Sequence, residues 1–329
     1  MEMIELAGAD LKTSRIGLGT WAMGGWMWGG TDRQQAVATI RSAVERGVTL
    51  IDTAPVYGFG ESEEIVGEAL SGDGLRSRVQ IATKVGINWR DGKPFRDSRP
   101  ERLREELEAS LRRLRTDVID IYQVHWPDPA TPIARTAETL AAFLAEGKIR
   151  AIGVSNFSPA QMDAFRAAAP LDTVQPPYNL FEREIESDVL PYAKRTGLVA
   201  LCYGALCRGL LSGKMSLQRS FTGDDLRQVD PKFSDQNLPH YLQAVADLDA
   251  LARERYGKSV LALAVRWVLD QGPTVALWGA RRPDQLDPIE DIMGWTIDAE
   301  TKADIDAILQ ARVPHHIAPD FMAPPARAA

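Results

Sequence analysis

Four side chains carry the strongest chemical signal in this 329-residue sequence: Asp52, Tyr57, Lys84 and His125. A tyrosine phenol, with a pKa of about 10, is a poor acid–base catalyst near neutrality unless its anion is stabilised. A lysine ammonium beside it lowers that pKa, and a carboxylate can hold the lysine in place and charged. A neutral histidine can donate a hydrogen bond to a substrate oxygen. The set suits proton transfer at a carbonyl, an effect typically worth ~10²–10⁴-fold. None of the four is a nucleophile or part of a metal site, so a cofactor must give or take the electrons. Each also has a plainer explanation. Asp52 could cap a turn, Lys84 could be solvated, and His125, followed by Trp126, could be a hydrogen-bonded core histidine. Their placement at the ends of neighbouring elements argues for chemistry.

Those elements are short, apolar and rich in β-branched residues: "RIGLG" (15–19), "VTLIDTA" (48–54), "VQIATKV" (79–85), "VIDIYQVHW" (118–126), "IRAIGVS" (149–155), "LDTVQPP" (171–177), "LVALCYG" (198–204) and "PTVALWG" (273–279). Amphipathic stretches separate them. Val37, Ile40 and Val44 share one helical face that stops at Gly47, and Leu103, Leu107, Leu111 and Leu114 form a second stripe. Thr131-Pro132 and Ser158-Pro159 read as N-caps followed by a proline in the first turn. Strands that are apolar throughout are buried on both faces, as parallel strands are. Eight such βα units predict an α/β fold, a (β/α)8 TIM barrel spanning residues 1–329 as a single domain. "MIELAGADLKTSRIG" reads as an N-terminal β-hairpin closing the barrel's bottom. The long irregular segment from Gly204 to Asn237, after strand seven, is expected to be functional. The tail, residues 321–329, is expected to be mobile.

Function in such a barrel collects at the C-terminal strand ends. The residues there are Asp52 and Tyr57, Lys84, His125, Ser155-Asn156, Gln175, Tyr203, and the pair Arg281-Arg282 after strand eight. A competing motif, "GLGTWA" (17–22), fits the G-x-G-x-x-[GA] pattern of dinucleotide-binding folds. That fingerprint needs a helix starting at the glycines. Here they run on into "MGGWMWGG", and the helix begins only near Thr31-Asp32, so the reading is rejected. The stretch instead reads as the loop leaving the first strand. Trp21, Trp26 and Trp28 can offer flat apolar surface around a carbonyl, with Trp26 the candidate for core packing, and Trp89 and Trp126 complete the wall.

Composition sets bounds. Thirty-eight basic against 45 acidic residues give a net charge of −7 with no basic block, which argues against nucleic acid or an anionic membrane as partner. No apolar run approaches the ~20 residues of a membrane span, and the acidic start lacks a signal peptide's pattern. Cys202 and Cys207 fit neither a disulfide framework nor a zinc site, which points to reduced thiols and a cytoplasmic protein. No metal site is expected.

Over essentially its whole length the sequence resembles the aldo-keto reductases. "IDTAPVYGFGESEEIVGEAL" resembles the family segment carrying the catalytic Asp and Tyr, here Asp52 and Tyr57. "IATKV" supplies Lys84 and "DIYQVHWPD" supplies His125. "IGVSNFS" is similar to the stretch whose Ser and Asn bind the nicotinamide carboxamide, here Ser155 and Asn156, with Gln175 of "VQPPYNLFER" completing that site. Tyr203 falls where an aromatic ring stacks on the nicotinamide. "ALCRGLLSGK" resembles the loop covering the cofactor pyrophosphate, which implies contacts from Leu206, Arg208, Gly209 and Lys214. "GTWAMGGWMWGGTD", "LWGARRPDQL" and "PDFMAPP" carry a closer likeness to the bacterial branch of general-stress and inositol-operon reductases and a polyol oxidoreductase.

The resemblance implies NADPH-dependent interconversion of aldehydes or ketones with alcohols, Tyr57 acting as general acid/base and His125 orienting the oxygen. Arg281 and Arg282 lie just after strand eight, where the family holds the adenosine 2′-phosphate, with Gln285 expected as a third contact and Gly279 as a further cofactor-binding residue. Guanidinium pairs bidentately with phosphate, so NADPH is expected over a weaker NADH; a solvated charge pair is the plainer alternative. Two departures bear on the adenine end: Trp278 replaces a Pro common in relatives, and Pro288-Ile289 replace a Glu-Asn pair. Substrate contacts are expected from Trp21, Trp28, Tyr57, Trp89, His125 and Trp126, and the substrate is expected to be a small aldehyde, ketone or polyol. The chain is expected to be a monomer or weak homo-oligomer. Two rivals stand beside the enzyme. One is an NADPH-binding scaffold of the channel β-subunit type, although no extended N-terminal inactivation segment is present. The other is a barrel glycoside hydrolase, which lacks a second strand-end carboxylate.

Overall fold

Period-2 patterning decides which strand residues face the barrel's centre, and that face organises the site. The structure, a computed structural model, describes residues 1–313, 315, 317–319 and 322–327. The strands are β1 (Met3–Leu6), β2 (Leu11–Ser14), β3 (Ile16–Gly19), β4 (Leu50–Asp52), β5 (Gln80–Val85), β6 (Ile87–Arg90), β7 (Lys93–Arg96), β8 (Ile119–Val124), β9 (Ile149–Ser155), β10 (Thr173–Gln175), β11 (Val199–Cys202) and β12 (Thr274–Gly279). Eight of them form a closed barrel in the order β3-β4-β5-β8-β9-β10-β11-β12, each parallel to its neighbours. These are the eight segments read from the sequence.

The antiparallel pair β1–β2 forms the expected hairpin. Its buried Leu6 and Leu11 pack against the inward residues Leu50, Ala82, Ile121, Ala151, Leu201 and Leu277, plugging the bottom. Burying a leucine is worth roughly 1.5–3 kcal/mol. Two residues further along their strands, on the same inward face, come Asp52, Lys84, Gln123 and Gly153. A polar layer therefore lies directly above an apolar one.

The α-helices are α1 (Arg33–Glu45), α2 (Glu61–Leu70), α3 (Pro100–Leu114), α4 (Ile133–Ala145), α5 (Pro159–Arg166), α6 (Val189–Thr196), α7 (Leu238–Tyr256), α8 (Val260–Leu269) and α9 (Ala299–Arg312), and 3-10 segments such as Cys207–Ser212 and Pro283–Ile292 occupy the loops. On α3, Leu103, Leu107, Leu111 and Leu114 all face inward. Ser158 caps α5 through a reciprocal box with Gln161. Thr131 does not cap α4. Its hydroxyl donates to Asp128 at 2.8 Å, and the helix begins after Pro132.

Two local features were not anticipated. β6 and β7 form an antiparallel hairpin after the third barrel strand, turning at Asp91 (φ 51°) and Gly92 (φ 72°). The tail is tied to that hairpin: the Pro325 carbonyl accepts from the Arg96 N–H at 2.9 Å, and Arg327 donates to Asp97 at 3.1 Å. Asp97 and Asp128, both buried, give Arg327 two carboxylates to meet. The remaining tail residues, Phe321, Ala328 and Ala329, lie outside the described residues.

Candidate active site

Asp52 ends β4, and Tyr57 follows on a loop pinned by two glycines. A Cβ on Gly24 would lie 2.5 Å from the Tyr57 carbonyl oxygen, and one on Gly58 would lie 2.1 Å from the Gly24 carbonyl. The glycine-rich stretch after β3 can thus pack its backbone directly on the Tyr57 loop. Lys84, fully enclosed on β5, donates to Asp52 Oδ1 at 2.7 Å and to the Thr53 carbonyl at 2.9 Å. Its Nζ lies 5.0 Å from the centroid of the Tyr57 ring. His125 follows β8 and meets that ring edge-on, centroids 5.8 Å apart. The four residues picked out by type and position are therefore one cluster.

Their electrostatics differ from the sequence expectation in one respect. The Tyr57 phenol is pushed well above its ordinary value, first by burial and second by the negative charge of Asp52. Lys84 does not win, because its ammonium is already paired with that carboxylate. Burial lowers the Lys84 pKa, while Asp52 and, from α2, Glu63 raise it. Burial, then the charge of Lys84, hold His125 well below its usual range, so the imidazole is neutral. A protonated phenol beside a neutral imidazole is the donor pair that a carbonyl oxygen needs.

The predicted carboxamide site also assembles. Asn156, held at φ +61°, donates through Nδ2 to the His125 carbonyl and to Ser155 Oγ, both at 3.0 Å. A non-glycine residue at that φ stores strain of the kind found at ligand sites. Ser155 donates to the Gln175 carbonyl at 2.8 Å, and the Tyr203 hydroxyl donates to Asn156 Oδ1 at 2.9 Å. The Gln175 side chain turns into the barrel, where Nε2 donates to Asp52 Oδ2 at 2.8 Å.

The other expected cofactor residues divide. Leu206 and Gly209 are half-buried on the loop after β11, and Lys214 and Gly279 are exposed. Arg208 was placed by sequence among the pyrophosphate contacts. Its guanidinium is instead enclosed with Glu182 and Asp230, both 2.5 Å away, so buried ion pairing claims the side chain. Arg281, half-buried, donates to the carbonyls of Trp28 (3.0 Å) and Gly30. Arg282 is exposed and pairs with Asp284 at 3.0 Å. Gln285 Oε1 accepts from the backbone N–H groups of Arg281 (2.7 Å) and Arg282 (3.2 Å), fixing the turn that presents both. Ile289 and Trp278 are buried in the core, so neither side chain is available to an adenine.

Around Tyr57 the tryptophans form a wall. Trp21 stacks on the phenol ring, with centroids 5.9 Å apart and planes at 26°, and Trp28 meets Trp21 edge-on at 5.5 Å. The indole N–H groups of Trp21 and Trp28 are buried without a partner. Trp26 packs on Phe59 at 5.0 Å, Phe59 packs on Trp89 at 5.6 Å, and Trp126 joins the same cluster with Ala54, Val56 and Ile87.

Several residues of the site were missed by sequence reasoning. Gln123, on the inward face of β8, was passed over as part of a strand, although its parity with Ile121 marks it. Phe59 carries only its nearness to Tyr57 as a signal. Asp224 accepts from the N–H groups of Met27 (2.7 Å) and Gly29 (3.1 Å), and Arg227 covers the Trp28 ring at 5.2 Å. No local pattern announces that the loop after β11 clamps the loop after β3.

Residues 15–310 match the aldo/keto reductase family. The chain belongs to that family. It is an oxidoreductase, and the barrel is the family's scaffold. It is 57% identical over 328 residues to aldo-keto reductase YhdN of Bacillus subtilis, with 99% of each chain covered. It is 37% identical over 302 residues to the NADH-specific methylglyoxal reductase of Escherichia coli, covering 87% of this chain and 91% of that one. The glycerol dehydrogenase AKR11B4 from Gluconobacter oxydans superposes with a TM-score of 0.89 at 55% identity, over 98% of this chain and 99% of that one. An aldo/keto reductase from Klebsiella pneumoniae in complex with NADP and acetate superposes with a TM-score of 0.71 at 29% identity, over 94% and 95%. Among the described residues no helix is long and apolar enough to cross a membrane, and no group of side chains could hold a metal.

Proposed function

We propose that this reductase interconverts small aldehydes or ketones with alcohols, polyols included, using NADPH. The observation that carries the reading is the Tyr57 phenol, protonated, set against neutral His125 and backed by the Lys84–Asp52 pair. The residues present fit a nicotinamide cofactor. Ser155 and Asn156 gather hydroxyl and amide groups beside His125, and the Tyr203 ring is half-buried next to them, while the Gln175 carbonyl anchors Ser155 from the neighbouring strand. When bound, the nicotinamide supplies the hydride to the carbonyl carbon or removes it from the alcohol.

The protein's own residues do the rest. His125 donates a hydrogen bond that orients the carbonyl oxygen. Tyr57 gives its proton to that oxygen as negative charge develops there, because only a base as strong as an alkoxide can take it. Lys84 offsets the phenolate that remains, and Asp52 keeps Lys84 placed. The tryptophan wall excludes water and presents flat apolar surface.

NADPH is favoured over NADH by a cluster of three guanidinium groups. Burial and the charge of Arg227 lower the Arg281 pKa, Asp225 offsets part of this and Arg282 lowers it further. Arg227 is forked onto Asp225 and Arg282 pairs with Asp284, so among the described residues Arg281, held by two backbone carbonyls, is the member of the cluster with no anion of its own. A 2′-phosphate would supply that anion. NADH binds more weakly on this reading. The whole chain acts as one catalytic domain, in the cytoplasm, with both thiols reduced, as a monomer or weak homo-oligomer.

The test is turnover by purified protein with NADPH against a panel of aldehydes and ketones, and with NADP+ against glycerol and other polyols. Carbonyl-dependent loss of reduced nicotinamide is the expected result. Tight NADPH binding without turnover in either direction would favour the scaffold reading.

A further inference from the structure

Below the mouth of the barrel, Asp52 is held by more than its lysine. Oδ1 receives Lys84, while Oδ2 receives Nε2 of Gln175 at 2.8 Å and Nε2 of Gln123 at 3.4 Å. The two amides are also joined to each other, Gln175 Nε2 donating to Gln123 Oε1 at 3.3 Å. Gln123 is fully enclosed, and the barrel makes room for it. A Cβ on Gly153, its register partner on β9, would lie 2.7 Å from Gln123 Cγ. An amide buried in a barrel core is costly unless its hydrogen bonds are used.

We infer that Gln123 is a positioning residue for catalysis: it locks the carboxylate of Asp52 and the amide of Gln175 in one arrangement, so that a single oxygen of Asp52 faces Lys84. Without that amide, Oδ2 loses a donor and Gln175 loses the acceptor that fixes its plane. Asp52 then turns and shares both oxygens with Lys84, drawing the ammonium from beneath Tyr57. The titratable groups facing this network are Lys84, Tyr57 and His125 from the strand ends, with Glu63 of α2 acting on Lys84 from behind the sheet. The inference rests on the proposed role of Tyr57.

Two substitutions separate positioning from packing. Gln123→Met keeps the volume and removes both hydrogen bonds. It is expected to lower kcat by ~10–100-fold with the NADPH Kd within about threefold of wild type. Gln123→Glu sets a second carboxylate beside Asp52. Two such groups share a proton at low pH and repel once it is lost. This variant is expected to approach wild-type kcat near pH 6 and to fall to the level of Gln123→Met by about pH 8. An NMR titration of the Lys84 side chain, assigned with Lys84→Met, reads the same pair without turnover, and its midpoint is expected to move by about one pH unit in Gln123→Met.

Wild-type kcat in Gln123→Met would overturn the inference. So would a loss of kcat with an unmoved Lys84 midpoint and a flat pH response in Gln123→Glu, the result for packing alone. A wild-type protein that turns nothing over would contradict the proposed reaction instead, and the Lys84 midpoint would then decide the role of Gln123.

Discussion

The rings of Trp21 and Tyr57 lie stacked, 5.9 Å between centroids. A residue of the glycine-rich loop after β3 therefore forms one side of the space around Tyr57, where the proposed reaction places the substrate. Trp28, edge-on to Trp21, extends the same wall. Trp21→Ala and Trp28→Ala are expected to change kcat/KM unequally across a carbonyl panel, by about tenfold or more for the bulkiest members. The NADPH Kd should stay within about threefold. A uniform drop for every substrate would remove these tryptophans from specificity.

Most of the barrel was legible because each buried parallel strand leaves a compact apolar run, and the clustering of Asp52, Tyr57, Lys84 and His125 was legible because strand ends are where polar residues stand out. Gln123 was not, since an inward polar residue in the middle of "IDIYQV" looks like any interruption of a core strand. The β6–β7 hairpin has its signal in the Asp91-Gly92 turn, but its strands, "INWR" and "KPFR", lack the apolar run that marks the barrel strands. The ion pairs of Arg208 were not legible, for a physical reason. A cation beside a glycine in a cofactor loop is ambiguous until its acids, Glu182 and Asp230, are seen to arrive from remote parts of the chain. The direction of the Tyr57 shift required burial, which spacing alone does not give.

The phenol's raised pKa sets opposite pH behaviour for the two directions. Reduction needs protonated Tyr57 and neutral His125. With Tyr57 shifted well up and His125 well down, kcat for reduction is expected to stay flat between about pH 6 and 9. Oxidation needs the phenolate, so its rate should climb about tenfold per pH unit toward pH 10. A reduction profile with an acid limb near 6.5 would show that His125 titrates as an ordinary histidine.

Arg281 and Arg282 are expected to discriminate the cofactors. Each charge-assisted contact to a phosphate is worth about 1.5–3 kcal/mol, so replacing both by Ala should weaken NADPH by ~10²–10⁴-fold. NADH affinity should change by less than about threefold. Because Arg281 also holds the carbonyls of Trp28 and Gly30, substrate KM should rise as well. Equal losses for the two cofactors, measured by fluorescence titration, would remove the 2′-phosphate assignment.

Stability should carry a signature of Glu106. Its enclosed carboxyl accepts from the Gly86 N–H at 3.3 Å, where β5 passes into the hairpin, and burial raises its pKa to about 8. The folded state therefore binds a proton that the unfolded chain releases above the ordinary 4.5. This contribution is complete below pH 4.5 and is lost as pH rises through about 8, at up to about 1.4 kcal/mol per pH unit. Glu106→Gln should flatten the fall of stability between pH 5 and 9 in urea melts. An unchanged slope would mean that Glu106 is ionised in the folded protein.

The most direct test is Tyr57→Phe, which removes one hydroxyl and leaves the ring against Trp21 and His125. NADPH-dependent carbonyl reduction is expected to fall by at least ~10³-fold while the NADPH Kd stays within about threefold of wild type. Turnover retained near the wild-type rate, with the cofactor bound normally, would contradict the assignment of Tyr57 as the proton donor.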